Sequence, residues 1–326
     1  MANKHIHPPI NNNYLNQDIL SLSQFDQKSL SKLFLVTAKM ADIAKNAKPS
    51  DILKGNIVTL LFYEPSSRTF GSFAASVKQL GGQTVEIQNP QQFSSVAKGE
   101  TLADTIRTFE AYSDAIIIRH PEVGAAQLAA DAATTVPVIN AGDGIGEHPT
   151  QALLDLYTIY EKHGRLDNLT GVIAGDILNG RTVHSLLQGL SLYKNNTLYL
   201  LSPQKLRLKS SDVSFLKKQG LTLYEIHSEK DIPKNADFWY WTRVQKERFK
   251  DLSDYEKIKH AFIVTPETLK KYGNDQMILM HPLPRVGEIE PSVDADKRAV
   301  YLRSEVRNGM YIRMALLTLI LGKTMR

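Results

Sequence analysis

Residues 56–82 read NIVTLLFYEPSSRTFGSFAASVKQLGG, and the order of residue types in this stretch sets the fold class. Ile57, Val58, Leu60, Leu61 and Phe62 form a continuous apolar run, the pattern of a strand buried on both faces of a sheet. After the polar turn EPSSRT, the apolar residues Phe70, Phe73, Ala74, Val77 and Leu80 return at helical spacing. The helix is predicted to stop at Gly81-Gly82, where a left-handed C-terminal turn is easy. Buried strand, polar turn and amphipathic helix together make one unit of an α/β sheet.

The same unit recurs along the chain. Further predicted strands are TVEI (84–87), AIIIR (115–119), PVIN (137–140), GVIAG (171–175), TLYLL (197–201), LTLYEI (221–226), DFWYW (237–241) and MILM (277–280), with helical stretches between most of them. Such alternation implies parallel sheets with right-handed crossovers. Roughly eight to ten strands exceed one comfortable sheet, so two doubly wound α/β domains are expected. A break is placed near Pro149, where the loop AGDGIGEHPT meets a long helix from Gln151 to Tyr160. The apolar helical stretch Met310–Leu321 can cross back to the first domain. The expected domains are therefore 1–149, completed by a C-terminal helix 306–326, and 150–305. Upstream, Leu30, Leu33, Phe34 and Met40 predict a first helix that begins at Ser23, with Asp26 three residues on.

Composition narrows the function classes. The chain has 326 residues, 42% of them hydrophobic and 22% charged, the balance of an ordinary globular protein. No apolar run reaches the ~18 residues of a membrane span, and the start, MANKHIHPPINNNY, lacks the apolar core of a secretory signal. There is no cysteine, which removes disulfides, thiolate metal sites and a cysteine nucleophile, and fits a cytoplasmic location. His5 and His7 are read as part of a mobile lead rather than a metal site, and no other histidine has a partner at metal spacing. The net charge of +5 comes from scattered Lys and Arg without interleaved aromatics, so no nucleic-acid partner is expected. Neither a G-x-G-x-x-G nor a Walker A sequence is present, so no dinucleotide or other cofactor is expected.

In open α/β sheets ligands bind outside the carboxyl ends of the strands. The residues just after each apolar run are therefore the candidates. Glu64, Ser66, Ser67, Arg68 and Thr69 follow the first run, at the start of a helix. Hydroxyls and backbone N–H groups there, beside an arginine, make a phosphate cradle. Arg119-His120-Pro121 ends another strand, and His148 and Gln151 follow a third. Arg181 stands near a helix start, and Arg243, Gln245 and Arg248 follow DFWYW. After MILM comes HPLPR, where two prolines fix the backbone around Leu283. One such arginine is ordinary. Five strand ends that each deliver Arg or His to one edge point to a small anionic substrate.

At these residues the chain resembles the aspartate carbamoyltransferase catalytic chains. EPSSRT, KGETLADT (98–105), RHP (119–121), NAGDGIGEHPTQALLDL (140–156), GDILNGRTVHSL (175–186), TRVQKERF (242–249) and HPLPR (281–285) appear in that family's order, from about Asp51 onward. The resemblance implies a carbamoyl phosphate domain and an aspartate domain, with the active site between them, in a homotrimer with shared sites. A regulatory chain or a larger assembly is compatible with it. It implies that Ser66, Ser67, Arg68 and Thr69 hold the phosphate of carbamoyl phosphate and that Arg119 also contacts that substrate. Thr69, Arg119 and His148 polarise its carbonyl oxygen, and Gln151 binds its amino group. Arg181, Arg243 and Gln245 clamp aspartate, while Leu283 and Pro284 offer backbone carbonyls through a cis Leu-Pro bond. Ser94 and Lys98 reach in from the adjacent subunit, and Glu64 pairs with Arg181 and Arg248 on domain closure.

The sequence departs from the best-known bacterial pattern at Ser67, Phe70 and Ala97, where threonine, arginine and a second lysine are common. None of these removes a group the chemistry needs. An ornithine-type carbamoyltransferase is the neighbouring alternative. Those enzymes carry a cysteine in a His-Cys-Leu-Pro segment, whereas this chain has HPLPR. A catalytically inactive scaffold homologue is the alternative of another class. It should have lost some of Arg68, Lys98, Arg119, His148, Arg181 or Arg243, and all six are present.

Overall fold

The computed structural model describes residues 7–48, 50–93, 95–144, 146–244 and 262–323. Two compact units divide the chain, one formed by residues up to Leu154 together with those from Arg307 onward, the other by Asp155–Val306.

In the first unit, β1 (Ile57–Phe62), β2 (Gln83–Gln88), β3 (Ala115–His120) and β4 (Val138–Asp143) form a parallel sheet in the order β2-β1-β3-β4. The inner strands β1 and β3 are buried except for the first residue of β1, as their continuous apolar runs require. The edge strand β2 is partly exposed and carries Gln, Thr and Glu. Ile19 adds an isolated parallel bridge beside Ile139. Around the sheet lie α1 (Gln27–Lys45), α2 (Ser67–Gln79), α3 (Pro90–Phe93), α4 (Leu102–Glu110) and α5 (Ala125–Ala132). Leu61, Ile106, Ile116, Ile118, Ala129 and Val138 form one of its core clusters. As predicted, α2 stops at Gly81, where φ is +80°, with the Gly82 N–H bonded to the Val77 carbonyl.

The start of α1 differs from expectation. The helix begins after Asp26, whose carboxylate accepts from the Ser29 N–H while the Ser29 hydroxyl accepts from the Asp26 N–H. Ser23 instead lies inside a short 3-10 turn, Leu22–Gln24, capped by Ser21. Two reciprocal caps follow in succession, Ser21 with Gln24 on the 3-10 turn and Asp26 with Ser29 on α1, so each segment has its own start.

In the second unit, β5 (Thr170–Ala174), β6 (Thr197–Leu201), β7 (Thr222–Ile226), β8 (Phe238–Trp241) and β9 (Ile278–Met280) form a parallel sheet in the order β7-β6-β5-β8-β9. Its helices include α7 (Arg181–Leu190), α8 (Ser210–Lys218) and α9 (Pro266–Tyr272). Val172, Trp239, Trp241, Val264, Leu279 and Tyr301 are central to its core.

The unit boundaries fall inside two helices, α6 (Pro149–His163) and α10 (Ser304–Ile320). The first turn of α6 packs within the first unit. Thr150 accepts a hydrogen bond from Arg313, and Leu154 lies beside Gly309. From α10, the Met310 carbonyl accepts from Ser76 and the Arg313 guanidinium reaches Ser72, both on α2. No helix of the described residues is long and apolar enough to cross a membrane.

Candidate active site

Within each sheet all strand pairs are parallel, so the carboxyl ends share one edge. From β1 the chain goes to β2 on one side and later to β3 and β4 on the other, which puts the topological switch between β1 and β3. In the second sheet the switch lies between β5 and β8. Ligand crevices open at such points, because the loops leaving the two strands diverge to opposite faces.

At the first switch Phe62 and Arg119 stand in register, and the Tyr63 N–H continues the pairing onto the Arg119 carbonyl. The next residues start α2. Ser66 is its N-cap, with extended backbone and no side-chain cap bond. The first-turn N–H groups and the positive end of the helix dipole accompany Ser67 and Arg68, both exposed, and Thr69, which is buried. Arg119 is 8% exposed. Its Nη2 pairs with the Glu64 carboxylate at 2.6 Å, and its Nη1 donates to the Ala141 carbonyl at 3.2 Å. Glu64 thus faces Arg119, both within the first unit.

The loop after β4 brings His148 to the same place. Gly142 has φ +119°, and a Cβ built there would stand 2.8 Å from Arg119 Nη1 and 3.4 Å from His148 Cδ2. The missing side chain lets guanidinium and imidazole approach one spot. Asp143 holds the loop shape, accepting from the Glu147 and Gly124 N–H groups at 2.8 and 2.9 Å. Glu147 ties the loop to the Ser21 hydroxyl and the Leu22 N–H. The His148 carbonyl accepts from the Gln151 N–H at 2.9 Å, which places Gln151 in the first turn of α6. Thr150 Oγ1 lies 3.4 Å from His148 Nδ1 and accepts from Arg313 Nη2 at 3.3 Å. Arg313 also donates to the Ser72 hydroxyl at 2.8 Å and lies over the Phe73 ring. One buried arginine therefore joins the helix that begins at Ser67 to the helix that begins beside His148.

His120, next to Arg119, serves structure. Its Nδ1 accepts from the Glu122 N–H and its ring packs on Tyr63. Burial pulls its pKa below the ordinary histidine value.

At the second switch Ala174 and Trp241 are in register. Thr242 donates to the Ala174 carbonyl through both its N–H and its hydroxyl. This fixes where Arg243 leaves β8. Across the switch, buried Asp176 accepts from the Asn179 N–H and shapes the turn before Arg181, which opens α7 after Gly180. Arg181 and Arg243 are both half-buried. On the far side of β8, the loop after β9 contains a cis Leu283-Pro284 bond, with Leu283 at φ +54°. Under that loop lies a buried acid cluster. Tyr240 donates to Asp155 at 2.9 Å, and Glu305 accepts from the His281 N–H at 3.0 Å. Burial, and then the neighbouring Asp155, push the Glu305 carboxyl far above the ordinary range.

Of the expected residues, the structure brings Glu64, Arg119 and His148 together, with Gln151 one turn on and Ser66–Thr69 beside them at the end of β1. Lys98 is exposed on a separate 3-10 turn, Ser95–Lys98. Ser94, Gln245 and Arg248 lie outside the described residues. Gly142, Thr150, Arg313, Asp155 and Glu305 were not singled out from sequence. Arg313 carried a readable signal, a lone charge inside the apolar run MYIRMALLTLI.

Comparisons with known proteins match both halves of the chain. The family description "Aspartate/ornithine carbamoyltransferase, carbamoyl-P binding domain" matches residues 17–161, and its "Asp/Orn binding domain" matches residues 167–320. The chain is 47% identical to the multifunctional protein pyr1-3 of Dictyostelium discoideum over 311 residues, 95% of this chain but 14% of that protein. It therefore spans about one seventh of that relative's length. It is 46% identical to the aspartate carbamoyltransferase catalytic subunit of Methanocella arvoryzae, over 95% of this chain and 99% of that one. Among solved structures, the aspartate transcarbamoylase of Trypanosoma cruzi in complex with carbamoyl phosphate and aspartate superposes with a TM-score of 0.86. It is 38% identical and covers 96% of this chain and 99% of that one.

Proposed function

The chain belongs to the aspartate/ornithine carbamoyltransferase family, and we propose that it transfers the carbamoyl group of carbamoyl phosphate to the amine of L-aspartate. The products are N-carbamoyl-L-aspartate and phosphate, an early step of pyrimidine biosynthesis. The observation that carries this reading is the buried Arg119, which meets His148 across Gly142 beside the hydroxyl-rich start of α2. That arrangement suits an anion joined to a carbonyl. The names of the relatives favour aspartate over ornithine as the amine, as do two arginines, Arg181 and Arg243, for two carboxylates.

In this reading Ser66, Ser67, Arg68 and Thr69 hold the phosphate, using hydroxyls, N–H groups and the helix dipole. Thr69, Arg119 and His148 donate to the carbonyl oxygen, and Gln151 orients the amino group of the carbamoyl moiety. Arg181, Arg243 and Gln245 fix aspartate by its carboxylates, and the carbonyls of Leu283 and Pro284 receive its amine. The uncharged amine attacks the carbonyl carbon. A C–N bond forms, negative charge builds on the carbonyl oxygen, and the C–O bond to phosphate then breaks. The departing phosphate can take the proton that the amine releases. Preorganised donors at the oxyanion each lower the barrier by about 3 kcal/mol, and alignment of the two substrates contributes ~7 kcal/mol or more.

The reading extends to a cytoplasmic homotrimer in which Ser94 and Lys98 reach a neighbouring subunit's site. Glu64 exchanges Arg119 for Arg181 and Arg248 on closure, and a regulatory chain or larger assembly can join the trimer. The test is formation of N-carbamoylaspartate from carbamoyl phosphate, with L-aspartate and L-ornithine in parallel and Arg243→Ala beside the wild type. Activity with aspartate alone, cut by about 100-fold or more in the variant, is expected from loss of a charge-assisted carboxylate contact. Activity with ornithine, or none with either amine, would overturn the reading.

A further inference from the structure

The loop from His281 to Glu288 is tied outward through Arg285 to Asp294 and Tyr301, and from inside its backbone is bonded by a buried imidazole. His281 is 2% exposed and Glu288 5%. Nδ1 of His281 accepts from the Leu283 N–H at 2.8 Å. A ring nitrogen that accepts carries no proton, so the proton of the neutral ring is on Nε2. That nitrogen lies 2.6 Å from a Glu288 carboxylate oxygen, and the other Glu288 oxygen accepts from the Val286 N–H at 2.9 Å. Burial alone would raise the Glu288 carboxyl, but the hydrogen bonds from His281 and from the Val286 N–H outweigh it and hold it below the ordinary range.

Both ends of this bridge are anchored. The His281 N–H donates to Glu305 at 3.0 Å. The Glu288 carbonyl accepts from the Val264 N–H at 2.9 Å, and the Glu290 N–H returns to the Val264 carbonyl at 3.0 Å. Between the anchors, Leu283 is kept at φ +54°, a left-handed conformation that a side chain with a Cβ resists. A loop left to itself would relax Leu283 out of that region. Here the carboxylate fixes the ring, the ring fixes the Leu283 N–H, and the Leu283 and Pro284 carbonyls are thereby aimed.

We propose that His281, neutral, protonated on Nε2 and clamped by Glu288, is a positioning residue for the attacking amine. It acts only through the backbone of Leu283 and Pro284. The proposal rests on the aspartate carbamoyltransferase reading, which gives those carbonyls to the amine, and it adds the device that aims them.

Two substitutions split the bridge. His281→Asn keeps an acceptor where Nδ1 stood but cannot reach Glu288, whereas His281→Gln keeps a donor toward Glu288 but removes the acceptor for Leu283. The expected result is a kcat loss of about tenfold or more for the Gln variant and of about threefold for the Asn variant, since a small misplacement of a reacting atom is costly in rate. Inhibition by succinate, which is aspartate without its amine, should stay within about twofold of wild type in both variants, because a carboxylate clamp is blind to the amine's partner. The KM for carbamoyl phosphate should likewise hold.

Equal damage in the two variants, or loss of succinate inhibition alongside aspartate turnover, would reduce His281 to a structural role and overturn the proposal. Nitrogen-15 NMR of the wild-type histidines tests the bridge without any variant. A His281 ring protonated on Nδ1 at neutral pH would overturn it. A wild type that uses no aspartate would sink the functional reading instead, with the NMR result still reporting on the loop.

Discussion

Replacing Gly142 by alanine puts a methyl group where the structure leaves room for none. The backbone there has φ +119°, and the new Cβ would stand 2.8 Å from Arg119 Nη1, inside any normal contact distance. The conformation alone costs an L-residue about 1–3 kcal/mol. Arg119 can relieve the clash only by shifting its guanidinium, which is pinned by Glu64 at 2.6 Å and by the Ala141 carbonyl at 3.2 Å. A donor displaced by several tenths of an ångström loses part of the ~3 kcal/mol that it gives a developing oxyanion. The kcat should therefore fall roughly 10- to 100-fold, with stability lowered by about 1–3 kcal/mol. Steady-state rates with carbamoyl phosphate varied at saturating aspartate, beside urea denaturation, read both effects. Gly144→Ala is the control. It too has positive φ, but its Cβ would meet the Pro121 carbonyl and not Arg119, so it should destabilise with little change in kcat. If folded Gly142→Ala keeps kcat and the KM for carbamoyl phosphate within about twofold of wild type, the pairing of Arg119 and His148 across this glycine is irrelevant to the chemistry and the reasoning fails.

Two further outcomes follow from buried groups. Thr150→Val removes the hydroxyl that accepts from Arg313 and sits 3.4 Å from His148 Nδ1. With a buried donor deprived of its acceptor, stability should drop by about 1–3 kcal/mol and kcat severalfold, read by urea denaturation and steady-state assay. An unchanged melting curve would show that Arg313 is not held through Thr150. Glu305 has its folded-state pKa raised, first by burial and then by Asp155. A raised value means that the folded protein binds this proton more tightly than the unfolded chain does. The stability it contributes is full below the ordinary glutamate range of about 4.3 and is lost as pH rises through the folded value. Glu305→Gln keeps an oxygen for the His281 N–H and removes the titration. The variant should therefore lack a component of pH dependence, of slope up to about 1.4 kcal/mol per pH unit, that urea midpoints of the wild type show above that range. Parallel pH profiles for the two proteins would contradict this assignment.

The sequence by itself determined the kinds of element and their order. Continuous apolar runs such as Ile57–Phe62 and Phe238–Trp241 became the buried inner strands, because a strand covered on both faces has no polar side to present. The residues after those runs became the candidate site, because parallel strands leave all their carboxyl ends on one edge. The sequence did not decide between competing caps: α1 begins after Asp26, which caps it together with Ser29, while Ser23 falls inside the separate 3-10 turn that Ser21 and Gln24 cap. Nor did it disclose which distant residues would share a contact. Nothing local marks Gly142 as the meeting place of Arg119 and His148, Arg313 as the link from Ser72 to Thr150, or Glu305 as the acceptor under His281. Those relations join strands and helices that are far apart in the chain. They depend on the strand order and on the last helix, whose start meets the second unit's His281 while the rest packs within the first unit, and such pairings exist only once the chain has folded.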